Sequence, residues 1–413
     1  MNVTLAVALA VALAQADGPP SQGGSPENSP FKPPEKVTTA SPPNAANDKP
    51  QTAPVEHRAL GEANPPAGTV GDVRPWYLRF NPFGYARVGV FYTFPFREEQ
   101  LVGGNGGFRL AALRMGVEFN PIEDLSVVAS LELAAPVRNE LDPTSGVRIV
   151  ELRDGYIEYR LMKFLQIRAG QFKAPFNGET LLGDGVQPFV ARSVATSGYF
   201  PPEAYGPRAG ITLDRQLGLQ LHSARLGADD GVGFKYAVGI FNGNGMNQLF
   251  NDNNSVAPAG RLELDFMKKV TIGANAFYNL RADGTRPNRV GINDFGFGGD
   301  VALSISGFTA LAQFVGKNST YAAAGLSPEL ALGVTGSVHY FHEGTGIEGG
   351  VRYSFFEPSN AQVDDVVHEV SALIGWRLRK APLRVVLQYT HRSEEVAVSL
   401  ANDSLDLMLQ ATW

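Results

Sequence analysis

The chain is 413 residues long, carries a net charge of −6 and contains no cysteine. That balance excludes the basic face a nucleic-acid binder needs, and no disulfide framework is available. No run of about 18 apolar residues follows the N-terminal segment, so any membrane span must be built from strands closed into a barrel.

Residues 3–13 form a short apolar run, followed by Ala14-Gln15-Ala16 and then Asp17. Residues 1–16 therefore read as a signal peptide with its cleavage site, although no Lys or Arg precedes the apolar run. From 17 to 75, proline, serine, asparagine, alanine and glycine dominate, with pairs at Pro19-Pro20, Pro33-Pro34, Pro42-Pro43 and Pro65-Pro66. Such a stretch buries too little apolar surface to offset its ordering entropy. It is expected to be a Pro-rich disordered tether on the periplasmic side.

Residues 76–413 are expected to form an all-β, transmembrane antiparallel barrel. The signal is period two. Leu405, Leu407, Leu409, Ala411 and Trp413 alternate with Asp406, Met408, Gln410 and Thr412. One face is apolar and the other polar, as a strand between lipid and water requires. Leu125 to Leu133, Arg261 to Phe266, Val351 to Phe355 and Leu383 to Thr390 follow the same rule. In chain order, strands are expected at 83–94, 108–119, 125–133, 147–160, 164–173, 214–225, 234–241 and 259–266. They continue at 270–280, 295–305, 308–317, 330–341, 347–356, 366–379, 383–392 and 405–413.

Tight turns are expected at Asn120-Pro121, Leu161 to Lys163, Asp229-Asp230-Gly231, Lys268-Lys269, Ser306-Gly307, Glu343 to Gly346 and Ala381-Pro382. Longer connections fall between them, the pattern of a barrel with one periplasmic and one external end. Sixteen is the strand count this rhythm favours, with fourteen and eighteen as neighbouring solutions.

A barrel of about sixteen strands leaves an aqueous lumen. The connection 174–213 is too long for a hairpin and carries Phe176, Phe189, Phe200 and Tyr205. It is expected to fold inward as a constriction; a flap over the barrel mouth is the alternative. By alternation, Arg352, Arg377, Arg379, Arg384 and Arg392 point into the lumen, with Arg87 and Arg114 just across the closure. Glu118, Glu132, Asp154 and Glu158 form an acidic group on the second to fourth strands. Charges so divided set up a field that favours anions, or they pair with one another structurally; both readings stand. Arg168, Lys173, Arg192, Arg208 and Arg215 are further candidates for pore and anion contact.

Enzyme signatures are missing: there is no nucleophile elbow, zinc-protease helix or phosphate-cradling Gly-rich loop. His222 and His339 face the lumen by alternation but have no neighbouring Ser and Asp in a recognisable order. Asn251-Asp252-Asn253-Asn254 and Asp229-Asp230-Gly231 offer oxygen ligands of the kind calcium takes, but solvated turns explain them more simply. No cofactor and no metal is expected.

Ile167-Arg168-Ala169-Gly170-Gln171-Phe172-Lys173-Ala174-Pro175-Phe176 resembles the strand end that launches the inward loop in the phosphate-selective porin O and P family. Ala191-Arg192-Ser193, Arg215 to His222, Tyr236 to Gly243 and Arg153-Asp154-Gly155-Tyr156 are similar to further stretches of that family. Ala195 to Asp214 lengthen the loop relative to its pattern. The resemblance implies a trimeric, sixteen-stranded porin with an anion-favouring pore. The expected function is passive diffusion of small anions across the outer membrane of a Gram-negative bacterium, phosphate among them. A general diffusion porin with weak ion preference and a plugged barrel anchoring the envelope are the alternatives. Expected partners are outer-membrane lipids and lipopolysaccharide, small anions and, by the resemblance, two further copies of the chain.

Overall fold

A computed structural model describes residues 79–94, 106–136, 148–199, 208–251, 253–284, 288–323, 325–363, 365–395 and 403–413. The expected signal peptide and Pro-rich tether lie outside the described residues, as do Phe200 and Tyr205.

The strands are β1 (Phe80–Phe94), β2 (Gly107–Ile122), β3 (Leu125–Pro136), β4 (Arg148–Met162) and β5 (Leu165–Lys173). Two short strands, β6 (Gly198–Tyr199) and β7 (Arg208–Ala209), pair only with each other. The wall resumes with β8 (Arg215–His222), β9 (Val232–Phe241), β10 (Ala257–Phe266), β11 (Val270–Asp283), β12 (Val290–Ile305) and β13 (Phe308–Tyr321). It ends with β14 (Glu329–Phe341), β15 (Ile347–Glu357), β16 (Val367–Arg377), β17 (Leu383–Glu394) and β18 (Asp403–Thr412). Apart from β6 and β7, these form one closed antiparallel barrel of sixteen strands, each bonded to its chain neighbour in the wall.

Alternation decides which side chains meet lipid. Val88, Leu131, Ile157, Leu262, Phe295, Leu405, Leu407 and Leu409 are exposed on the outer face. Their strand neighbours Arg87, Ser130, Glu132, Glu158, Arg261, Asp294, Ser404 and Gln410 are buried within the barrel. Closure leaves no strand edge unpaired, which is what a sheet in hydrocarbon demands. The seam runs from Tyr85↔Thr412 to Phe94↔Asp403. Gly84 and Trp413 exchange backbone hydrogen bonds of 3.0 and 3.1 Å there. A Cβ at Gly84 would lie 2.5 Å from the Trp413 ring, so only glycine lets the last residue close.

Three expectations shift. Asn120 and Pro121 sit not in a turn but in an irregularity of β2 between Phe119 and Ile122, and the turn is Glu123-Asp124. Proline lacks the ladder N–H and is tolerated at such a bulge. The strand expected to run to 225 ends at His222, and 223–231 form a connection with an isolated bridge, Leu226↔Phe234. Arg379 lies beyond β16 in the turn to β17, where it donates to the Gly344 carbonyl at 3.0 Å rather than facing the lumen.

The apolar core sits inside the barrel. Phe176, Val194, Ala195, Ile211 and Leu213 of the long connection pack on the inward residues Phe172, Phe241, Phe277, Val315 and Phe356. A second cluster joins Phe189 to Leu373, Val386 and Met408. The connection after β5 is therefore an internal element, not a flap over the mouth.

Candidate functional site

Lumen width is set by how the connection after β5 is folded and tied. It begins with Asn177 at φ 66°, a left-handed conformation asparagine tolerates. The Asn177 carboxamide caps the one-turn helix Gly178–Leu181 by accepting from the Thr180 N–H at 3.1 Å. Lys173 reaches the other end, donating to the Thr180 and Leu182 carbonyls at 2.6 and 2.7 Å. Those last-turn carbonyls have no partner within the helix, and a cation there is favourable.

Residues 184–191 then cross as a strap to the far wall. Arg352 of β15 donates to the Ala191 carbonyl at 2.7 Å. Arg384 of β17 donates to the Gln187 carbonyl at 2.9 Å and also bonds Pro188. Arg87 of β1 bonds the Asp184 carbonyl and meets that of Val190 at 3.4 Å. Gln388 accepts from the Val190 N–H at 2.8 Å, and Gln410 donates to the Gly185 carbonyl at 2.6 Å. Behind the strap, Glu179 accepts from the Ser193 N–H at 2.9 Å, while its own N–H donates to Gln313 at 2.8 Å. The strap's buried backbone groups thus find side-chain partners on the wall, as burial requires.

Charges concentrate around Asp184. Arg192 and Asp184 form a hydrogen-bonded ion pair, and the Tyr85 hydroxyl donates to Asp184 at 3.3 Å. Arg114 is buried with Asp184 at 3.7 Å and Glu132 and Asp154 at 3.8 Å, and its Nε and Nη2 have no hydrogen-bond partner. Arg215 bonds Asp154 at 2.9 Å and meets Asp214 at 3.3 Å. Burial alone would raise the Asp184 carboxyl, but Arg192, Lys173, Arg215 and Arg114 together hold it well below the ordinary carboxylate value.

The structure thus brings Arg87, Arg114, Lys173, Arg192, Arg215, Arg352 and Arg384 onto or around the inward connection. The other candidates stand apart. Arg168 bonds Glu158 at 2.7 Å and lies over the Tyr156 ring. Arg377 bonds Glu348 at 2.8 Å, and Arg392 bonds Glu369 at 3.0 Å. Arg208 belongs to β7, and its side chain is outside the described residues. His222 meets Glu158 at 3.2 Å and His339 meets Glu348 at 3.1 Å. In the loop 242–256, Asn253 and Ser255 donate their N–H groups to the Asn251 and Asn253 side chains, which makes local turns.

Between the strap and the β1–β4 wall a cavity of about 190 Å³ remains, lined by Tyr85, Arg87, Glu132, Arg153, Asp184, Gln187 and Arg192, with alanines at 111, 112 and 134. At the far wall Val386 and Met408 are fully buried against Phe189 of the strap. Arg153, Asp184, Gln187, Gln388 and Gln410 were not among the candidates. Alternation places Gln388 and Gln410 on the lumen face, and Gly183-Asp184-Gly185 is a turn signal, so part of this was readable.

No protein-family model and no curated protein matches the sequence. Solved structures do. The outer membrane channel DcaP of Acinetobacter baumannii superimposes with a TM-score of 0.55 at 14% identity, over 81% of this chain and 97% of that one. An anion-selective porin from Comamonas acidovorans gives 0.54 at 10% identity, over 81% and 99%. A trimer form of OmpT, an outer membrane protein of Vibrio cholerae, gives 0.50 at 11% identity, over 81% and 99%.

The chain has the porin fold. A closed barrel of sixteen strands with an apolar outer face is a membrane structure, and this one belongs to the outer membrane of a Gram-negative bacterium.

Proposed function

We propose that the barrel is a passive diffusion pore for small anionic solutes, inorganic phosphate among them. The observation that carries this reading is the cavity between strap and wall, where Arg87, Arg153 and Arg192 stand against Glu132 and Asp184. The cavity of about 190 Å³ gives a small hydrated ion room to contact these side chains. The stretch Gly170-Gln171-Phe172-Lys173-Ala174-Pro175-Phe176 supports the phosphate assignment by resemblance, and the Comamonas porin of like fold is described as anion-selective. Arg114 and Arg215 beside the inward connection, and Arg168, Arg377 and Arg392 on the wall, complete the proposed path, although their carboxylate partners temper the field; Arg208 joins the proposal on its sequence position alone. A homotrimer is part of the proposal, as are export by residues 1–16 and a tether over 17–75.

The mixture of signs at the cavity favours one second reading, a general pore with weak ion preference. Purified protein in a planar bilayer separates them. We expect stepwise conductance, a reversal potential of anion-selective sign in a salt gradient, and block of chloride current by phosphate. A reversal potential near zero without phosphate block would leave the general pore. Absence of any conductance would sink both.

A further inference from the structure

The register of the wall breaks three times beside the cavity, once between β1 and β2 and twice between β3 and β4, the last between Glu132 and Ala135; two of these breaks matter here. Arg87 pairs with Ala112 and Val88 with Leu110, which leaves Ala111 of β2 as an extra residue. Ser130 pairs with Asp154 and Leu131 with Leu152, which leaves Arg153 of β4 as an extra residue. These are β-bulges, which re-aim a side chain against the ordinary alternation. Both bulges deliver their extra residue to the same place: Ala111 and Arg153 line the cavity, next to Ala112 and Ala134.

Arg153 differs from the other two guanidiniums there. Arg87 is committed to strap carbonyls, and Arg192 to Asp184 and the carbonyls of Glu179 and Leu182, the latter at 3.0 Å. Among the described residues the Arg153 side chain meets Glu151 at 3.5 Å and the Met246 sulfur at 4.0 Å, and its Nε has no hydrogen-bond partner there. Neither of these contacts fastens the strap. Small side chains opposite the strap, Ala112 and Ala134, leave the space into which it projects.

We infer that Arg153 is the specificity-determining residue of the pore, a bulge-presented cation that contacts the permeating anion in the cavity between strap and wall, with Ala134 beside it. This rests on the pore reading above. It assigns strap-holding to Arg87, Arg352 and Arg384, and solute contact to a residue that alternation counted from Ile157 would turn toward lipid.

The absence of native cysteine makes the test clean. Single variants Arg153→Gln, Arg153→Cys, Ala134→Cys and, as a lipid-facing control, Leu131→Cys are recorded in planar bilayers. Arg153→Gln should lower the chloride-over-potassium permeability ratio about two- to fivefold, the effect of one unit charge at contact distance in water. A negatively charged methanethiosulfonate should cut current through the Arg153→Cys and Ala134→Cys channels, but not through Leu131→Cys. Arg153→Lys should retain the wild-type ratio, which separates charge from misfolding. Wild-type conductance with an unchanged ratio in Arg153→Gln, or with both cysteines unreactive, overturns the inference while leaving the pore reading intact. A silent wild-type protein overturns the pore reading itself.

Discussion

Asp184 holds together groups that otherwise repel. Arg192, Arg114 and Lys173 lie close to one another, and the carboxylate at their centre makes that arrangement tolerable. Removing one member of a buried ion-pair network costs about 3–5 kcal/mol, because it strands the other charges. We expect Asp184→Asn to loosen the strap and to give noisy, larger single-channel currents. The pH response follows from the depressed carboxyl. A group whose folded pKa is lowered contributes stability above its unfolded value, about 3.9 for aspartate, and loses it as pH falls toward the folded value. Conductance steps should therefore stay constant from neutral pH down to about 4, becoming irregular only in stronger acid. An onset near pH 6 would show that another group controls the strap.

At the scale of elements, the strap is held by arginines of the wall that donate to its main-chain carbonyls. Arg352 and Arg384 do this while also pairing with Glu369 and Glu348, so each braces wall and strap together. Changing Arg384 to glutamine should enlarge the conductance more than it alters ion preference, the reverse of the pattern expected for Arg153. Sequence patterning made the sixteen strands readable, because a wall between lipid and water imposes the same alternation on nearly every segment. It also marked the connection after β5 as internal, since residues such as Phe176 and Phe189 need burial. The bulges were not readable. A single inserted residue leaves the period intact on both sides, so Arg153 reads as inward when counted from Leu152 and as outward when counted from Ile157. Nor does any residue type announce that a guanidinium will bind a carbonyl rather than a carboxylate or a solute. Arg87 and Arg384 therefore read only as lumen charges.

At the scale of the whole molecule, the barrel is an inverted protein, apolar outside and polar within. Its stability should respond accordingly. Leu407 faces outward and is paired with Val90 and Leu387 across the seam region. Arginine at such a position costs about 2–4 kcal/mol near the bilayer midplane, whereas Gln220→Glu on the lumen side, across from Arg168, should be tolerated in folding. Urea titration of the barrel in lipid vesicles would show the contrast. Equal losses at both positions would contradict the assignment of faces.

The strap's attachment points also say something about order in time. Arg87 belongs to β1, Gln410 to β18, and Arg384 and Gln388 to β17. The strap is thus stitched across the junction of the first and last strands, residues made at opposite ends of synthesis. Contacts so distant along the chain form late. Until the barrel has closed there is no second bank for the strap to reach, so an unfinished barrel has no defined bore. Permeability control and completion of assembly are then one event, and a half-built copy in the membrane cannot yet discriminate among solutes.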